Sequence, residues 1–149
     1  WEFIRDTGRL AKARGLQVVV VTNGSVTLPV LEKVLPYVDA FNIDLKGFSN
    51  AYYDYVSGNL ETVKRFIERA ATDAHVELTT LVVPGKNDSL EEMEALSSFV
   101  ASISPSIPLH LTRYFPRWKE ETPATSIETL QALQAVALRH LDKVVLGNV

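Results

Sequence analysis

Phe41-Asn42-Ile43-Asp44-Leu45-Lys46-Gly47-Phe48 alternates apolar and polar side chains without a break until its glycine. Successive side chains of a strand point to opposite sides of the sheet, so Phe41, Ile43 and Leu45 share one face and Asn42, Asp44 and Lys46 the other. A strand over Ala40 to Lys46 is therefore expected to be apolar on one side only.

The same pattern recurs along the chain. Val76 to Val83 sets Glu77 and Thr79 against Val76 and Leu78, and Leu109 to Tyr114 sets His110 and Thr112 against Leu109 and Leu111. Leu16 to Thr22 differs: Val18 to Val21 are apolar throughout, as expected of a strand covered on both faces. Lys143 to Leu146 is the fifth strand. Amphipathic helices separate these runs. One occupies the residues before Gly15, its candidate C-cap. Thr27 with Pro29 opens another, and Asn59 a third. Ser89 with Glu92 and Thr125 with Glu128 fit the S/T-x-x-E capping box. Strand and helix in alternation, with short connections, indicate parallel βαβ units in an α/β fold, either an open doubly wound sheet or part of a barrel. Three half-polar strands favour the barrel, whose inner faces converge on a ligand cavity.

The composition narrows the function. One ordinary core, hence a single domain over 1–149, is expected from 149 residues that are 46% hydrophobic. Fifteen basic against eighteen acidic residues give a net charge of −3, with no basic run to bind phosphates, so nucleic acid is not an expected partner. No apolar stretch approaches the roughly 20 residues of a membrane span, and no signal peptide opens the chain, so a cytoplasmic location is the default. There is no cysteine, which excludes disulfides, thiolate zinc sites and Cys-ligated iron-sulfur clusters on these residues. The start at Trp1, inside a helical pattern, together with that absence suggests a fragment.

Sites in βα folds gather at the C-terminal ends of the strands. Here those ends carry Thr22-Asn23-Gly24, Asp44-Leu45-Lys46-Gly47, Pro84-Gly85-Lys86-Asn87-Asp88 and His110-Leu111-Thr112-Arg113. Asp44 and Lys46 are the sharpest pair, since on one strand face they suit a zwitterion, the carboxylate taking an amino group and the ammonium a carboxylate. The alternative is that they merely neutralise each other, or that Lys46 snorkels to the rim. Pro84 to Asp88 reads first as a turn into the Ser89 cap. His110 is a core histidine or, with Thr112 beside it, part of a polar lumen. No HExxH, GxSxG, P-loop or GxGxxG motif is present, and the three histidines are too scattered to make a metal site.

In order, Val-Thr-Asn-Gly at 21–24, Phe-Asn-Ile-Asp-Leu-Lys-Gly-Phe at 41–48, Thr-Thr-Leu-Val-Val-Pro-Gly-Lys-Asn-Asp at 79–88 and Leu-His-Leu-Thr-Arg-Tyr-Phe-Pro at 109–116 resemble radical S-adenosylmethionine (SAM) enzymes. The likeness is to those called pyruvate formate-lyase activating enzyme-like, and among them to the AmmeMemoRadiSam-system radical SAM protein. It extends from about Arg5 to Val149. The resemblance implies a (β/α)6 partial TIM-like barrel with parallel strands and helices outside. Its first strand leads into a CxxxCxxC loop that binds a 4Fe-4S cluster, and the reduced cluster cleaves SAM to methionine and a 5′-deoxyadenosyl radical. This chain would lack the first two βα units and with them the cluster ligands. It would be inactive alone and, as part of an oxidoreductase or activase, would supply the cofactor-facing wall.

By the same resemblance, Asp44 and Lys46 match the family's Asp-Leu-Lys beside the methionyl end of SAM, and Thr22 and Asn23 match the turn after the third barrel strand. Thr79 stands where glycyl-radical activating enzymes carry a basic SAM contact, Val21 where they often have an Asp, and Phe115 near a histidine. The Thr79 and Phe115 departures favour the AmmeMemoRadiSam branch. The cofactor-binding expectation is Thr22, Asn23, Asp44, Lys46, Thr79, His110 and Thr112, with no catalytic residue and no metal ligand. Implied partners are SAM and a protein substrate or system partner. The alternatives are a glycyl-radical activase acting on a protein, and a non-radical β/α scaffold holding a small zwitterion or anion.

Overall fold

The computed structural model describes residues 1–149. Helix α1 (Glu2–Lys12) leads through Gly15, at φ 72°, into strand β1 (Val19–Thr22). Then follow α2 (Leu28–Val34) with a one-turn 3-10 helix (Leu35–Tyr37), β2 (Ala40–Asp44), α3 (Asn50–Tyr55), α4 (Leu60–Ala70), β3 (His75–Val82), α5 (Leu90–Ile103), β4 (Leu109–Arg113), α6 (Ile127–Ala137) and β5 (Val144–Gly147). The five strands are parallel and lie in chain order, each beside its predecessor. A doubly wound sheet reverses its strand order at a switch point, whereas a barrel wall does not. The unbroken order β1 to β5 therefore selects the barrel wall.

Residues in register share a face. Ile43, Leu78 and Leu109 form one row of the covered face and are fully buried. Against this face pack the apolar stripes of the helices; Phe66 of α4 meets Phe41 of β2 edge-on at 5.5 Å, a favourable aromatic geometry. Asp44, Thr79, His110 and Val145 form a row of the opposite face, which no helix covers. The half-polar strands of the sequence thus have the one-sided burial that their alternation requires. No helix is long and apolar enough to cross a membrane.

Several expectations need correction. Val19 and Val21 are 64% and 76% exposed, so β1 is covered on one face, not two. It is an edge strand, paired with β2 alone. The β2 ladder stops at Asp44 instead of Lys46. After it the chain forms a helix that the sequence reading does not contain, α3, whose N-cap Ser49 accepts from the Tyr52 amide; six residues are too few for a periodic signal. Thr125 does not cap α6. Ser126 does, accepting from the Thr129 amide, because the Thr125 hydroxyl is buried and donates to the Val82 carbonyl instead. Ser89 caps α5 as expected, yet its intended partner Glu92 reaches the Phe48 amide and not back to Ser89. Thr27 precedes α2 without a side-chain cap bond.

Candidate functional site

Beyond Asp44 the backbone leaves the sheet ladder, and four side chains hold it at Leu45, Lys46 and Phe48. Thr80 Oγ1 donates to the Leu45 carbonyl at 2.6 Å, and the Tyr53 hydroxyl accepts from the Lys46 amide at 3.3 Å. Asn87 Nδ2 donates to the Lys46 carbonyl at 2.6 Å, and Glu92 Oε1 accepts from the Phe48 amide at 2.6 Å. Asn87 is 2% exposed and fully used: its Oδ1 accepts from Val83, and its Nδ2 also donates to Leu81. Gly47 permits this convergence. A Cβ there would stand 2.7 Å from the Tyr52 ring and 2.8 Å from Glu92 Oε1, inside van der Waals contact.

So braced, Lys46 projects to the open face. Its Nζ donates to Asp44 Oδ2 at 2.9 Å, and both side chains stay partly exposed, at 38% and 36%. They line a cavity of 370 Å³ with Tyr52, Val56, Thr79, Leu81 and Thr112. The cavity sits at the C-terminal ends of β2, β3 and β4, where a βα fold is expected to bind its ligand. Burial pushes the Tyr52 and Tyr53 hydroxyls up to about 12.

One row lower on the same face lies a polar array. Glu77 Oε2 meets His110 Nε2 at 2.7 Å, and its Oε1 meets His75 Nε2 at 3.2 Å. These two hydrogen bonds hold the Glu77 carboxyl below the usual carboxylate range. Thr79 Oγ1 donates to Asn42 Oδ1 at 2.8 Å, which ties the array to the cavity row. His110 thus belongs to the open polar face, not the core.

Of the seven residues that the sequence singles out, Asp44, Lys46, Thr79 and Thr112 meet in the cavity and His110 lies beside Thr79. Thr22 is in register with Ile43, on the covered face, and its Oγ1 accepts from the Gly24 amide at 3.1 Å. Asn23 is exposed, its Oδ1 accepting from the Ser25 amide. These two shape the turn after β1 and line no part of the cavity. Tyr52, Val56 and Leu81 are linings that the sequence reading missed, and Asn87 and Glu92 are supports it read as turn and cap. Their partners are distant in sequence, so no local pattern marks them.

The sulfur donor set of an iron-sulfur cluster is absent from these residues, which contain no cysteine. No other group of histidines and carboxylates is arranged to hold a metal ion.

No protein-family model matches the chain. It is 36% identical over its whole length to the uncharacterized protein MJ0808 of Methanocaldococcus jannaschii, covering 45% of that protein. It is 27% identical over 131 residues to the pyruvate formate-lyase 1-activating enzyme of Escherichia coli, covering 85% of this chain and 53% of the enzyme. The chain thus spans about half the length of the curated relatives it matches. Among solved structures, a domain of pyruvate-formate lyase-activating enzyme from Bacteroides vulgatus superposes with a TM-score of 0.84 at 22% identity, over 99% of this chain and 91% of that one. TYW1 with a lysine-pyruvate adduct bound gives 0.68 at 17% identity, over 93% and 46%. The chain has the α/β fold of a pyruvate formate-lyase-activating enzyme domain.

Proposed function

We propose that this chain is the C-terminal, SAM-facing wall of a radical SAM enzyme of the pyruvate formate-lyase activating type. The observation that carries the reading is the Asp44–Lys46 pair, 2.9 Å apart and braced at the mouth of a 370 Å³ cavity. Its support is the fold shared with an activating-enzyme domain and the distant sequence match to an activating enzyme.

The pair offers one cation and one anion to a ligand that carries both. The Lys46 ammonium is placed for a carboxylate, and the Asp44 carboxylate for an amino group. Entry of an amino acid exchanges their mutual bond for two bonds to the ligand. Because both groups are partly exposed, breaking their pair costs at most about 1 kcal/mol. Thr79 and Thr112 add hydroxyls, and Leu81 and Val56 an apolar wall for the methylene chain of SAM's methionyl part. Thr22 and Asn23 keep the turn that follows β1. A 4Fe-4S cluster, held by the longer protein, would supply the reducing electron for SAM cleavage. It does not fit the donors of this chain, so its ligands belong to sequence beyond these 149 residues, and this chain alone is inactive.

The experiment is SAM binding and 5′-deoxyadenosine formation by the longer protein with Asp44→Asn or Lys46→Met. Each should weaken SAM binding about tenfold, the worth of one charge-assisted hydrogen bond. Unchanged binding in both variants would overturn the reading. The match to the Escherichia coli enzyme favours a second reading, in which the radical's target is a protein. A glycyl radical appearing on an added partner in the EPR spectrum would establish it.

A further inference from the structure

Glu77 holds two imidazoles at once. His110 Nε2 lies 2.7 Å from its Oε2, and His75 Nε2 lies 3.2 Å from its Oε1. These contacts hold the carboxyl below the ordinary carboxylate range, so near neutrality it is ionised and has no hydrogen to give. Each imidazole must therefore be the donor. In neutral His110 this fixes the tautomer: Nε2 carries the hydrogen, and Nδ1 keeps a bare lone pair that no group of the chain engages.

One strand away, Thr79 is committed in the same sense. Its Oγ1 donates to Asn42 Oδ1 at 2.8 Å, which leaves the oxygen free only to accept. Thr79 is in register with Asp44 on one side and with His110 on the other, all three on the open face. His110 also lies two residues before Thr112 on β4, and Asp44, Thr79 and Thr112 all line the cavity. His110 thus borders the cavity floor along its own strand and across to the next.

We propose that Asp44, Thr79 and His110 form an acceptor-only row that takes the ammonium end of the cavity's ligand, with Glu77 as the positioning residue that keeps His110 in its accepting tautomer. The inference rests on the cavity being a site for a zwitterion, whether or not that zwitterion is SAM. Neighbouring strands stand about 4.8 Å apart, so an ammonium between two of them gives each a hydrogen bond of ordinary length. A carboxylate finds no donor in the row and meets the negative charges of Asp44 and Glu77. Its donor is the Lys46 ammonium, two residues beyond Asp44 and 2.9 Å from that carboxylate. The row therefore orients the ligand, amino end toward His110 and carboxylate toward Lys46.

The probes are ethylammonium and propionate, which share an apolar tail and differ in having hydrogens to give. Nitrogen NMR of the imidazoles in the 149-residue chain at neutral pH should show His110 protonated at Nε2 and bare at Nδ1. The opposite tautomer overturns the proposal, and this reading needs no variant. Ethylammonium should move the Nδ1 resonance and propionate should not; equal responses, or none to ethylammonium, overturn it too. His110→Phe removes the acceptor and should weaken ethylammonium binding about fivefold, the worth of one hydrogen bond, without weakening propionate. Unchanged affinity for ethylammonium would exclude His110 from the row. Glu77→Gln exchanges a pure acceptor for a group that also donates, so His110 should populate both tautomers and ethylammonium should weaken to a similar degree. A single, unchanged tautomer would show that Glu77 does not position the ring. If the amine binds as expected while the longer protein binds no SAM, the SAM reading falls and the acceptor row stands.

Discussion

Asn87 Nδ2 donates to the main-chain carbonyl of Lys46 at 2.6 Å, across 41 positions of sequence. The loop after β3 thereby sets the conformation of the loop after β2, and so the position of the ammonium that faces Asp44. Asn87→Ala leaves the Lys46 carbonyl and the Val83 amide short of partners and should destabilise the chain by about 3 kcal/mol in urea unfolding. Retention of wild-type stability would show that the loop has other support.

Gly47→Ala tests the same brace from the opposite side. The added methyl meets the buried Tyr52 ring, Glu92 Oε1 and the Asn87 Cβ at 2.7, 2.8 and 3.3 Å. None of the three is free to yield, because Tyr52 is buried, Glu92 is bonded to Phe48, and Asn87 is bonded on every side. Overpacking of this kind should cost about 2 kcal/mol, read from the shift of the thermal midpoint.

Asp44→Asn and Lys46→Met should behave in the opposite way. Their ion pair is partly exposed, so each substitution should change unfolding free energy by less than about 1 kcal/mol while weakening ligand binding. A loss of stability as large as that of Asn87→Ala would mark the pair as a structural element.

Glu77 predicts a pH dependence. Its folded pKa is lowered by His75 and His110, so the unfolded chain binds the proton more readily. The resulting stability is fully present above the ordinary carboxylate pKa and is lost as pH falls through the folded value. Glu77→Gln should flatten this acid limb of the stability profile and leave the profile near neutrality without that slope. An unchanged acid limb would rule out the histidine clamp as its source.

The α6 entrance separates two hydroxyls that the sequence does not. Ser126→Ala should cost about 1 kcal/mol, as for an ordinary N-cap. Thr125→Val keeps the shape but deprives both the Tyr114 amide and the Val82 carbonyl of a buried partner, and should cost about 2 kcal/mol or more. Equal costs in chemical denaturation would contradict the assignment of Ser126 as the cap.

By itself the sequence determined what is periodic or absent. The alternation from Phe41 to Lys46 decided which side chains face the helices and which face the cavity, because a strand has a period of two wherever it lies. The lack of cysteine decided that no thiolate-held cluster rests on this chain. Tertiary structure decided the rest. Strand order distinguished a barrel wall from a doubly wound sheet, and register sent Thr22 to the covered face while gathering Asp44, Thr79 and Thr112. Only the fold could recruit Thr80, Asn87 and Glu92 to the backbone after Asp44, from 35, 41 and 44 residues away. A donor or acceptor finds a distant carbonyl or amide through three-dimensional approach alone, and such an approach leaves no period in the chain.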